Sequence, residues 1–218
     1  WSEIMKKTVF TQDQVDKLVT VARVIVEPSV YGVGRVDVPF QTYIGDVPCW
    51  QYKLWNGMLD RCFSEKFKGR NPTYMNVTCC DEWLSFANFI EWVNREVGYK
   101  GKPDGMQLDK DILQKGNLIY APEKCCFVPR VVNLLLTDRA RRRGRWPLGV
   151  VFHKGVGKFV ATVRCNGKIK HLGYFDNPED ASQAYKVAKE AQIKVVALEH
   201  REVLKSAVFE SLMDWKII

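Results

Sequence analysis

Residues 149–185 read GVVFHKGVGKFVATVRCNGKIKHLGYFDNPEDASQAY, and the fold is decided there. LGVVFHK, GKFVATVRC and KIKHLGYF are three short strand-like runs. Gly155–Gly157 separates the first two, and Asn166-Gly167, the preferred dipeptide of a tight type I′ hairpin, separates the last two. The middle run alternates. Phe159, Ala161, Val163 and Cys165 point to one side, and Lys158, Val160, Thr162 and Arg164 to the other. A helix start follows: Asp176 or Asn177 can cap it, Pro178 suits the first turn, and Glu179 and Asp180 suit its positive end. Ala181, Ala184, Tyr185, Ala188 and Ala191 form the stripe expected to be buried, small enough to let the helix lie close on a sheet. One sheet face is then covered. The other, with Lys158, Thr162 and Arg164, is left open.

The charge of the chain is concentrated in the same place. Of 33 Lys and Arg, ten fall between Arg139 and Phe175, a window with no Asp or Glu. They are Arg139, Arg141, Arg142, Arg143, Arg145, Lys154, Lys158, Arg164, Lys168 and Lys170. Outside it 23 basic residues face 25 acidic ones, so the net +8 of the chain is +10 in one block and −2 elsewhere. A one-sign block repels itself and is best held by a polyanion. Nucleic acid is the natural candidate. A membrane surface would favour a basic amphipathic helix, whereas this stretch reads as strands. Bidentate Arg to guanine is the commonest specific major-groove contact, and Lys mainly holds phosphate. RNA binding would call for stacking aromatics on the open face, where Lys, Thr, Arg and Val are expected.

The rest of the chain organises around this unit. Residues 1–48 are a mixed leader in which Thr11 can cap a helix through about Val26. Residues 49–136 form an aromatic-rich helical domain. Leu54, Trp55, Met58, Leu59 and Cys62 have helical spacing, Tyr74 to Cys79 reads as a strand, and Asp81 can cap a helix lined by Trp83, Phe86, Phe89, Ile90 and Val93. Residues 107–136 read as a hairpin or ribbon with a short helical end. Residues 137–147 are an Arg-rich linker, either an arm on phosphates or a solvated tether. Residues 148–196 are the sheet-and-helix domain, and 197–218 a C-terminal helix with Leu204, Ala207, Val208, Leu212 and Trp215 on one side. That helix can pack on the sheet domain or form a homodimer, and the sequence is neutral between the two. The fold class expected is α+β: a helical domain followed by a three-stranded antiparallel sheet packed on a helix.

Composition, at 46% hydrophobic and 27% charged, is that of a globular protein and excludes fibrous and disulfide-stapled mini-protein classes. No apolar run approaches the roughly 20 residues of a membrane span, and no secretion leader is expected. Seven cysteines, an odd number, fit free thiols in a reducing cytoplasm. The vicinal pairs Cys79-Cys80 and Cys125-Cys126 miss the C-x₂₋₄-C spacing of zinc sites, so the expectation is no metal and one buried Cys per pair.

The motif G-V … G-K-[FW]-x-A-x-[IV] … N-G-K … L-G-x-F-[DE] … E-x-A-x-x-A-Y runs through residues 148–192. It resembles the plant ethylene-response-factor (APETALA-type) DNA-binding domain, in the form found in phage homing endonucleases. The resemblance implies that the open face reads the major groove of double-stranded DNA. Carried onto this chain, that face holds His153, Lys158, Thr162, Arg164 and His171, flanked by Lys154, Lys168 and Lys170. Val151, Val160 and Ile169 fall on it where plant domains often carry polar or basic residues, which implies fewer base hydrogen bonds or contacts to thymine methyls. Upstream, W-x-G-M-L-x-R-C (55–62), Y-x-x-V-x-x-C-x-E-W-x-x-F-x-x-F (74–89) and L-D-K-D-I-L-x-K-G-N-x-I-Y-x-P-x-x-C (108–125) are similar to HNH homing endonucleases over about residues 43–136.

An HNH centre needs a His to activate water and a metal ion on the scissile phosphate. The three His of this chain, His153, His171 and His200, all lie outside the nuclease-like part. Lys110, within Leu108-Asp109-Lys110-Asp111, stands near the place of the general base. In one reading Asp109 and Asp111 hold Mg²⁺, Lys110 assists, and Asn117 and Asn133 orient the strand, giving a Mg-dependent homing endonuclease. In the other the centre is degenerate, and the protein binds its site without cutting, as a cytoplasmic, nucleoid-associated or phage-derived repressor. The second reading is preferred. The partner expected is double-stranded DNA, with no membrane and no cofactor unless the nuclease is active.

Overall fold

The computed structural model describes residues 27–97, 105–136, 145–165 and 167–217. The fold is α+β, and the chain divides into two compact units at Phe127/Val128. The proposed leader helix from Thr11 and most of the Arg-rich linker lie outside the described residues.

The first unit is built on two helices. A tight turn joins β1 (Tyr43–Ile44) to β2 (Val47–Pro48) and leads into α1 (Trp50–Phe63) and the short α2 (Glu65–Arg70). β3 is Thr78–Cys79, and α3 is Phe86–Val97. Trp55, Met58 and Leu59 of α1 are fully buried with Trp83, Phe86, Phe89 and Val93, and the Trp55 indole donates to the Trp83 carbonyl at 2.7 Å. The aromatic stripes are therefore core. Two local expectations change. Only the last two residues of 74–79 are a strand, because Pro72–Tyr74 takes a 3₁₀ turn. Asp81 is not the cap of α3: it opens a 3₁₀ turn over Asp81–Leu84, and α3 is capped by Ser85 Oγ, accepting from Asn88 N at 3.1 Å, and by Asp37, accepting from Ala87 N at 2.9 Å.

β4 (Met106–Asp109), β5 (Ile119–Tyr120) and β6 (Cys126–Pro129) do not form a hairpin in sequence order. β5 pairs in parallel with β3, and β4 pairs with β6. α4 (Arg130–Leu136) is the expected helical end.

The second unit carries the antiparallel sheet β7 (Val150–His153), β8 (Lys158–Cys165) and β9 (Lys168–Phe175), in that order, packed against α5 (Pro178–Glu199). Asn177, not Asp176, is the cap: its side-chain oxygen accepts from Asp180 N at 2.8 Å. Ala161 of β8 and Ala181 of α5 are both fully buried, with Val150, Phe159, Leu172, Phe175 and Ala184 around them. Gly149 lies directly under the Tyr185 ring, and a Cβ added there would sit 2.0 Å from it.

The buried stripe of α5 departs from expectation at its C-terminal half. Ala191 is exposed, and Ile193, Val196 and Ala197 are buried instead. At about 100° per residue Ala191 stands about 80° round the helix from Ala181, so a straight stripe of alanines drifts off the contact. The expected helix over 197–215 is also different: α5 runs on to Glu199, a 3₁₀ turn covers Arg201–Val203, and α6 is Ser206–Met213, burying Val208 and Leu212. Among the described residues no helix is long and apolar enough to cross a membrane.

Gly149 has φ 76°, so Gly149→Ala meets both a left-handed backbone and the Tyr185 ring. It should cost about 3 kcal/mol or more in urea unfolding, whereas in a Tyr185→Ala background the same change should cost only about 1–2 kcal/mol, the backbone share alone.

Candidate nucleic-acid interface

Cross-strand partners in an antiparallel sheet point to the same side, so the register assigns the faces. Phe152, Phe159 and Phe175 form one row, and Val150, Ala161 and Gly173 the next, both on the side covered by α5. On the open side are the rows Val151–Val160–Tyr174 and His153–Lys158, then Thr162–His171 and Arg164–Ile169. Five of the expected reading residues, His153, Lys158, Thr162, Arg164 and His171, thus share one face with Val151, Val160 and Ile169.

Tyr174 was not expected there. Strict alternation from His171 would send it toward the helix. A bulge between the Ala161 and Thr162 pairings inserts Leu172 as an extra residue and reverses the parity of β9. Gly173 at the bulge has φ 147°, a conformation that only glycine adopts readily, and a glycine inside a strand run was the available signal. Tyr174 is about half exposed and stands between two histidines, with ring centroids 4.8 Å from His171 and 6.2 Å from His153. Val160 is buried although it lies on the open side, because Val151 and Tyr174 flank it.

The cations divide into groups. Lys158 is paired to Asp176 at 2.9 Å, an exposed contact worth little on its own. Arg164 donates from Nη1 to the Gly167 carbonyl at 2.9 Å, one of the five N–H groups of its guanidinium. Lys168 and Lys170 are partners of Cys165 and Val163, so they lie on the helix side of the hairpin end rather than on the open face. Lys154 is in the turn between β7 and β8. Arg145 stacks on Trp146, 4.3 Å from the ring centre, and Trp146 itself packs edge-on against Phe159. Arg141, Arg142 and Arg143 lie outside the described residues.

The Asp109–Asn117 segment has a different character. Asp109 Oδ1 accepts from Asp111 N at 2.7 Å and Ile112 N at 2.9 Å, closing a turn. Burial raises its carboxyl above the ordinary value, against the pull of those donors. Lys110 is buried, its ammonium gripping both oxygens of Asp111 at 2.8 and 2.9 Å and donating to the Asn117 carbonyl. Asn117 is buried as well. Its amide donates to the carbonyls of Lys110 and Ile119 at 2.8 and 2.7 Å and accepts from Ile119 N at 3.1 Å. These residues do not fit a Mg²⁺ site. One carboxylate is held by backbone N–H groups and the other by an ammonium, which would repel a divalent ion. Asn133 is on α4, in the second unit.

All seven cysteines are free thiols. Cys79 and Cys80 are buried and half-buried, as one per pair predicts, but Cys125 and Cys126 are both buried. The Cys125 thiol is pushed up to about 12 by burial, the opposite of a ready thiolate ligand.

No family model matches the chain, and neither a curated protein nor a solved structure matches it. The interface therefore rests on its own geometry: an open sheet face with a cationic, imidazole-rich rim around an apolar band.

If Asn117 is the staple of this turn, Asn117→Ala should lower unfolding stability by about 2–4 kcal/mol, since it strands several buried polar groups. A stability equal to that of the parent protein in urea would contradict the structural role.

Proposed function

We propose that the protein binds double-stranded DNA sequence-specifically through the open face of β7–β9, and acts by occupying its site, as a transcriptional repressor, without cutting it. The observation that carries the reading is the coincidence of two features. The acid-free basic block, Arg139 to Phe175, ends in a sheet with one face left free by α5. A three-stranded sheet of this width can enter a major groove about 12 Å across. On this reading Arg164 supplies the bidentate donor, and Lys154 in the β7–β8 turn with Lys168 and Lys170 at the hairpin end serve phosphate. A cytoplasmic, nucleoid-associated setting follows from this reading.

The apolar band refines it. Val151 is 60% exposed and Ile169 65% exposed, and with Tyr174 they have no hydrogen bonds to offer a base edge beyond the Tyr hydroxyl. In the major groove the matching apolar group is the thymine C5-methyl. The alternative, a Mg-dependent homing endonuclease, draws no support from Asp109, Lys110, Asp111 and Asn117: the Lys110 ammonium sits on the Asp111 carboxylate, and Asp109 Oδ1 and the Asn117 amide are engaged by backbone groups.

With about six phosphates neutralised, log K should fall against log salt with a slope of roughly −5, and a flat response would contradict the electrostatic part. Arg164→Ala should reduce discrimination between sites by about 1–3 kcal/mol, whereas Lys168→Ala should weaken all sequences alike. Replacing thymine by deoxyuridine in the preferred site should cost several-fold in affinity; equal affinity would remove the methyl contact but leave DNA binding standing. Tight binding of the single strand would favour base stacking on Tyr174 instead. Cleavage in Mg²⁺ that is lost in Asp109→Ala would overturn the non-cutting reading.

A further inference from the structure

The outer surface of α5 carries an apolar row that no described residue of the second unit covers. Val187, Val195 and Leu198 are 59%, 53% and 57% exposed, Ala191 between them is exposed, and half-buried Ala184 extends the row. The spacings from 184 to 198 are three, four, four and three residues, so the row lies on one side of the helix. Ala184 also borders the core under the sheet, whereas Val187, Ala191, Val195 and Leu198 are distinct from the stripe of Ala181 and Tyr185 on the sheet and from the C-terminal stripe of Ile193, Val196 and Ala197.

The spacing is symmetric about Ala191. An isologous contact requires a surface complementary to itself under a two-fold rotation. When two copies of α5 run antiparallel with the axis at Ala191, Ala191 meets the partner's Ala191, Val187 meets the partner's Val195, and Ala184 receives the partner's Leu198. The small residues sit at the centre and opposite the largest side chain, which is the complementarity that close helix packing needs. Charge agrees with this direction. The exposed acids Glu179 and Asp180 of the first turn come beside the partner's helix end, where Arg201 and Lys205 balance Glu199 and Glu202. In a parallel pair the acidic ends would meet each other.

We infer that the protein forms a two-fold homodimer through this row of α5, with Ala191 on the axis. The contact uses the helix alone and leaves the open face of each sheet uncovered, so it stands whether or not that face binds DNA.

The test uses the full chain. Sedimentation velocity across concentration should show a monomer–dimer equilibrium. Val187→Glu with Val195→Glu, at exposed positions, should weaken dimerisation roughly ten-fold or more with unchanged circular dichroism and melting. Under mild oxidation Ala191→Cys should cross-link well above the parent chain, because only a residue on the axis faces its own copy at disulfide distance. Gln183→Cys, exposed but off the row, should not. A parent chain that stays monomeric to about several hundred micromolar, a dimer indifferent to the glutamates, or Ala191→Cys cross-linking no better than Gln183→Cys would each overturn the inference.

Discussion

Ala161 on the sheet and Ala181 on the helix meet with no exposed surface left on either, and the arrangement of the second unit depends on that close approach. A larger side chain at either place would lift α5 from β8 and open the ring of Val150, Phe159, Leu172 and Phe175 around them. Gly149 does the same at the edge, where Tyr185 rests on bare backbone. With the helix held against one face, the strand period sends every alternate residue to the other. The free face is thus a consequence of the packed one. Its residues are free for a partner because none of them is needed for the core, Val160 excepted.

That division was legible where local chemistry decides it. The close pairing of Cys165 with Lys168, the Asn177 cap with Pro178 behind it, and the alternation of β8 all act over a few residues, and the sheet and helix follow from them. Longer-range effects were not legible. The bulge at Leu172 shows only in the pairing of β8 with β9, and it moved Tyr174 to the open side. Ala191 looked like core because alanine suits both surfaces, and its exposure shows only when the drift of the helix relative to the sheet is known. The parallel pairing of β3 with β5 joins segments some forty residues apart, which no local pattern encodes.

The Asp109–Asn117 turn teaches a related lesson. As a string, Asp-Lys-Asp followed by Asn suggests ligands and a base. In space each group already has a partner: Asp109 the backbone of the turn, Lys110 the carboxylate of Asp111 and the Asn117 carbonyl, Asn117 the backbone on either side. Acidic residues make a cation site when their oxygens converge on one point with no ammonium among them. The positive excess of the chain lies elsewhere, in the linker and sheet, and the chemistry of the protein is proposed to lie there with it.

The central claim, that the open face reads DNA in the major groove, is tested most directly by selecting bound duplexes from a randomised pool and then mapping the winning site by guanine N7 methylation interference. The account predicts one enriched motif in which methylation of a guanine within the motif blocks binding, and in which Arg164→Ala abolishes the interference at that guanine. Recovery of no common motif, or a motif indifferent to N7 methylation and to Arg164, would contradict it.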